Sequence, residues 1–176
     1  MKYALIIALS LCQWVAFCQT TATANVGLNL PSIAMLDIEN SGSINLSFTS
    51  PSEAGSPLIN NSTNNSAWLN FTSALGIGKS RSVSVQIASG SNSGYEIILQ
   101  PQAYSGGGAG QLGNRIPSIN LSNTPQKVVN NIGGAFTGSG LGSGYNLKYS
   151  LAITNYGALR KENTTFTIIY TLTDDN

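Results

Sequence analysis

The chain has 176 residues, with eight Lys or Arg against seven Asp or Glu and no histidine. A net charge of +1 gives no electrostatic footprint for nucleic acid or an anionic membrane. Charged residues make up 9% of the chain, against roughly 25% in ordinary domains, so Asn, Ser, Thr and Gly carry the polarity and few groups remain for acid–base work.

The first eighteen residues read as a secretory signal. Lys2 gives the positive start, the apolar run Ala4 to Phe17 follows, and the small residues Ala16 and Cys18 precede a cut ahead of Gln19. The run is too short for a membrane span. Lipid attachment at Cys18 is the competing reading, but bulky Phe17 stands where a lipidation signal has a small residue. Residues 1–18 are therefore expected to be removed, leaving residues 19–176 as one secreted or cell-surface domain without a transmembrane span. Both cysteines, Cys12 and Cys18, go with the signal, so no disulfide or thiol chemistry is expected. A domain of that length can bury a core without covalent staples.

After the signal, alternation with a period of two dominates. Ala22, Ala24, Val26, Leu28 and Leu30 alternate with Thr23, Asn25, Gly27 and Asn29 until Pro31. Residues 33–38 form a candidate strand. Ile44, Leu46 and Phe48 alternate with polar residues up to Pro51, and residues 52–66 read as a loop. Strands are expected at 68–75, 83–87, and 95–99 extended across Pro101 toward Tyr104. Glycine-rich stretches at 106–113 and 133–144 flank an irregular region, 114–125, and a weaker strand, 128–132. Leu147, Tyr149, Leu151 and Ile153 alternate cleanly, as do Phe166, Ile168, Tyr170 and Leu172. No amphipathic helix pattern occurs after the signal. Eight or nine short strands between Gly, Pro and Asn turns indicate an all-β, single antiparallel β-sandwich rather than a barrel. The pairs Gly94-Tyr95 and Gly144-Tyr145 both open a strand, which reads as shared turn chemistry rather than duplication.

Chemistry-bearing motifs are weak. Gly108 to Gly113 matches a GxGxxG fingerprint, but Asn114-Arg115-Ile116-Pro117 follows where a helix must begin. Gly78-Lys79-Ser80 resembles the end of a phosphate-binding loop, yet Ser73 stands where its first glycine belongs. Without histidine or a mature cysteine, the usual nucleophile–base pairs are impossible. Asp37 and Glu39 share one strand face about 7 Å apart, a spacing compatible with an inverting glycosidase but equally with charges guarding a sheet edge. The second reading is preferred. No Asp-x-Asp-x-Asp-Gly calcium loop is present. Trp68 is expected in the core because of its large apolar area. With Tyr104 and Tyr156 it also forms the alternative of an aromatic platform for glycans. Asn-x-Ser/Thr sequons at Asn45, Asn61, Asn64, Asn70, Asn120 and Asn163 arise readily by chance in so Asn- and Ser-rich a chain.

The alternating segment Ala22 to Leu30, opening directly after the signal, and the strand Phe166 to Leu172 together resemble pilin-like, fimbrial-type surface proteins. That resemblance implies an Ig-like sandwich in which an N-terminal segment completes a neighbour's sheet. The cysteine pair of many pilins is absent. The triplet Tyr170-Thr171-Leu172 is similar to the C-terminal Trp-x-Leu motif of WxL-type wall-binding domains, with tyrosine in the tryptophan's place.

The expected function is therefore non-enzymatic: a structural or adhesive surface subunit acting by strand pairing through Ala22, Ala24, Val26, Leu28 and Leu30 and through Phe166, Ile168, Tyr170 and Leu172. Its partner would be a second copy or another surface protein, with no cofactor or metal. A surface carbohydrate-binding module is the alternative. Residues 22–30 can also be read as the first strand of the domain's own sheet.

Overall fold

The computed structural model describes residues 21–40 and 42–175, so the expected signal peptide and Cys18 lie outside the described residues. The described residues fall in two units, those before Pro31 and those from Pro31 onward. Of the first, residues 21–30 carry no strand, helix or turn, and every one is exposed. Val26 is 89% exposed, Leu28 92% and Leu30 75%. The alternation predicts a strand. A strand needs a partner for its backbone N–H and C=O groups, and residues 21–30 lie in no ladder among the described residues. The reading of this segment as the first strand of its own sheet is therefore corrected.

The second unit is built from strands in the order β1 (Ile33–Asn40), β2 (Thr63–Ala74), β3 (Ser80–Ser89), β4 (Tyr95–Ser105), β5 (Ala109–Gly110), β6 (Asn114–Arg115), β7 (Ile119–Asn120), β8 (Gln126–Ile132), β9 (Ala135–Phe136), β10 (Gly144–Ile153) and β11 (Thr167–Asp175). A single 3-10 turn, Tyr156–Ala158, interrupts the all-β pattern. The expected eight or nine strands become eleven because the glycine-rich stretches and the region 114–125 contribute two-residue ladders. Isolated pairs of residues carry no periodic signal. Residues 44–48 are the converse. Ile44, Leu46 and Phe48 pack half-buried on the core while Asn45 and Ser47 face out. The pattern is that of a strand, but no ladder forms, and the nearest backbone pairing is the bridge between Thr49 and Ile59.

Two antiparallel sheets result. The larger runs β5-β9-β2-β10-β4-β7, with β1 on the other edge of β2; the smaller runs β11-β3-β8-β6. Alternate residues of each sheet face a shared core. From β2 come Ala67, Leu69 and Phe71; from β10, Tyr145, Leu147, Tyr149 and Leu151; from β4, Ile97 and Leu99. Val83, Val85 and Ile87 of β3 meet them with Val128, Val129 and Ile132 of β8. Each buried Val, Leu, Ile or Phe among them contributes roughly 1.5–3 kcal/mol through removal from water.

The two Gly-Tyr openings have a shared physical cause. Gly94 and Gly144 both hold positive φ, +79° and +88°. A Cβ would stand 2.3 Å from the Asn155 carbonyl oxygen at Gly94 and 2.2 Å from that of Leu69 at Gly144. Only glycine permits that backbone approach.

Leu147 is fully buried, whereas Ile77 lies wholly in solvent at the β2–β3 turn. Leu147→Ala is expected to cost about 2–5 kcal/mol in chemical denaturation. Ile77→Ala should stay within about 0.5 kcal/mol. Equal losses would contradict this placement of the core.

Candidate strand-pairing site

Strand β11 is bonded along one edge only. It pairs antiparallel with β3 from Thr167↔Ser89 to Asp175↔Ser80. Among the described residues, nothing pairs with its outer edge. Edge strands of this length are usually blunted by lysine, proline or inward-pointing charge. From Thr167 to Thr173 β11 has none of these. β1, the edge strand of the larger sheet, instead carries Asp37 and Glu39 opposite Asn70 and Trp68.

The inward side of β11 is arranged in rows with β3. Ile168 lies opposite Ile87, Tyr170 opposite Val85, and Leu172 opposite Val83. All three β11 side chains are half-buried on the core, whereas their β3 partners are buried. A fourth row changes character: Asp174 lies opposite Arg81. Arg81 is 4% exposed. Its Nε pairs with the Asp174 carboxylate, and Nη1 donates to the Ile33 carbonyl, to Ser73 Oγ at 3.2 Å and to the Ala74 carbonyl at 3.4 Å. Nη2 donates to Ser32 Oγ at 2.9 Å. A buried guanidinium is tolerated only with such a full set of acceptors. It laces the start of β1 to β3 and to the end of β11.

Two further polar contacts hold β11. The Tyr170 hydroxyl shares a 2.6 Å hydrogen bond with that of Tyr149, which spans the two sheets. The Asp175 carboxylate accepts from Lys127 Nζ at 2.8 Å and from Ser82 Oγ at 2.7 Å, and these bonds hold its carboxyl below the ordinary value. Phe166, just ahead of β11, packs edge-on against Tyr95, their ring centres 6.5 Å apart.

The remaining candidates do not converge. Trp68 is half-buried and alternates with buried Ala67 and Leu69, so it lies on the outer face of β2. Its expected place in the core is corrected: the inward positions of β2 are filled by smaller residues. The Tyr104 ring packs against Tyr145, 5.9 Å between centres, and its hydroxyl donates to the Thr137 carbonyl. Tyr156 lies in the 3-10 turn, where its hydroxyl accepts from the Leu58 N–H at 3.0 Å. Trp68, Tyr104 and Tyr156 thus share no face. Asp37 and Glu39 stand on the outer face of β1, the former exposed and the latter half-buried. Two residues of the GxGxxG stretch lie in a β ladder, Ala109 opposite Phe136 and Gly110 opposite Ala135. Among the described residues, no three His, Cys, Asp or Glu side chains group as metal ligands. No helix among them is long and apolar enough to cross a membrane. The Arg81 cluster is the feature that sequence reading missed. Its signal was a lone arginine at an inward position of an otherwise apolar alternation.

Comparison with known protein families, curated proteins and solved structures finds no match.

Burial pushes the Tyr149 phenol up to about 12, and burial first, then the neighbouring Tyr149, raises Tyr170 well above its ordinary value. A phenol raised in the folded state stays protonated while the unfolded chain ionises. The stability that it contributes is therefore complete below about pH 10 and is lost as pH rises toward 12. For Tyr149 the loss amounts to about 3 kcal/mol. Denaturation midpoints should fall steeply across that window. Tyrosine absorbance should record these two phenols ionising only with unfolding. Their early titration, with the fold intact, would contradict the buried pair.

Proposed function

We propose that the protein is a non-enzymatic, exported surface subunit that assembles by strand pairing between copies. Residues 22–30 of one copy add to the outer edge of β11 of the next. The observation that carries this reading is the coexistence of a β11 edge that is uncharged from Thr167 to Thr173 and unpaired among the described residues with an exposed alternating segment, residues 22–30. Strand addition satisfies the backbone groups of both, and alternate side chains then find apolar cover.

The strand order supports an Ig-like type for the sandwich. An Ig sandwich has strands A-B-E-D in one sheet and C-F-G in the other. Taken in chain order, β1-β2-β10-β4 corresponds to A-B-E-D, and β3 beside β11 corresponds to C beside F. The position of G, beyond β11, is the one that a neighbour's residues 22–30 would fill. The scarcity of charge suits a protein outside the cell and supplies little for acid–base catalysis.

Purified protein beginning at Gln19 is expected to form concentration-dependent linear polymers, visible by electron microscopy and sedimentation. Leu28→Asp places a charge on an otherwise apolar face of the segment. It should leave the thermal unfolding of the domain unchanged and abolish the polymers. A wild-type chain that stays monomeric at high concentration would overturn the reading.

A further inference from the structure

The proposed assembly leaves open which side chains enter and how far the incoming strand extends. The inward rows along β11 answer both, and the inference rests on that reading of strand pairing. Three rows are apolar, Ile168 with Ile87, Tyr170 with Val85 and Leu172 with Val83. The fourth, Asp174 with Arg81, is an ion pair whose guanidinium is also bonded to Ile33, Ser73, Ala74 and Ser32. An apolar side chain pressed against that row would strip water from the exposed Asp174 carboxylate and offer no hydrogen bond in return. The segment 22–30 has a matching composition. Val26, Leu28 and Leu30 are three large apolar residues at alternate positions, preceded by the two small ones, Ala22 and Ala24.

We infer that the Arg81–Asp174 pair is the end stop of the β11 edge and sets the register: Val26, Leu28 and Leu30 of a second copy enter beside Leu172, Tyr170 and Ile168. Ala24 then falls at the ion pair, where a large apolar side chain would strip water from the Asp174 carboxylate, and Ala22 lies past it. The incoming strand runs antiparallel to β11. In the parallel direction Leu30 would lie beside Leu172, and Pro31, which has no N–H to give, would fall inside the ladder beside Thr173 rather than at its end beside Thr167. Ser32 would then stand at the ion pair, although its hydroxyl is already held by Arg81 of its own copy.

An asparagine scan of positions 22, 24, 26, 28 and 30, read by sedimentation velocity, tests the register. Because the scanned residues are exposed, folding of the domain is not at risk. Asparagine at 26, 28 or 30 is expected to raise the concentration for half-assembly about tenfold or more, and at 22 or 24 by less than about twofold. Equal losses at all five positions would overturn the end stop while leaving strand pairing in place. No loss at any would overturn both. A second pair of variants addresses the ion pair itself. Ala24→Leu should weaken assembly in the native background and strengthen it when combined with Asp174→Leu, which makes the fourth row apolar. The same response in both backgrounds would remove Arg81–Asp174 as the determinant.

Discussion

Interlocking of alternate side chains between the two sheets is the interaction on which everything else rests. Leu69, Leu99 and Leu147 from the larger sheet and Val83, Val85, Val128 and Val129 from the smaller are wholly buried. No cysteine occurs after Cys18, so no disulfide shares this task in the domain. Small domains often need such staples, but a core of this extent substitutes for them. Because the core is one continuous layer, any strand that borders it is held by packing as well as by its ladder. That is why β11 stays in place with only one bonded edge.

The same core explains the unequal burial along the flank. On β3, in the interior of the smaller sheet, inward residues lose all contact with water. On β11 the equivalent residues stay half-buried, since no strand lies beyond them among the described residues. The β11 edge has both unpaired backbone groups and half-buried apolar side chains at a single place. In the proposed assembly, hydrogen bonding and apolar burial favour the same event, addition of a further strand.

Polar groups inside the sandwich play a complementary part. The Tyr149–Tyr170 hydroxyl pair joins the sheets at the middle of the flank, and the Arg81 cluster joins them at its end. Each is satisfied by partners from more than one strand. A shift of β11 relative to β3 would break the Arg81–Asp174 pair and leave a buried guanidinium with one acceptor fewer. Such contacts specify one alignment of the sheets, whereas the surrounding Val, Ile and Leu side chains tolerate several.

The all-β class and most strand positions follow from period-two alternation, because burial of one sheet face dictates that pattern locally. The span across Pro101 in β4 was legible for this reason, as were β3, β10 and β11. The sequence by itself also determined that few groups suited to catalysis are present, since composition is independent of folding. Alternation does not say whether a strand finds a partner. Residues 22–30, residues 44–48 and β10 read alike, yet only the last lies in a ladder. Nor does bulk decide which face a residue takes: Trp68 lies outward because its parity along β2 is set by register with β1 and β10. The two-residue ladders of the glycine-rich stretches and the gathering of Arg81 with Ser32, Ser73 and Asp174 depend on contacts between distant positions. Only the tertiary structure decided these, because pairing is a property of two segments at once.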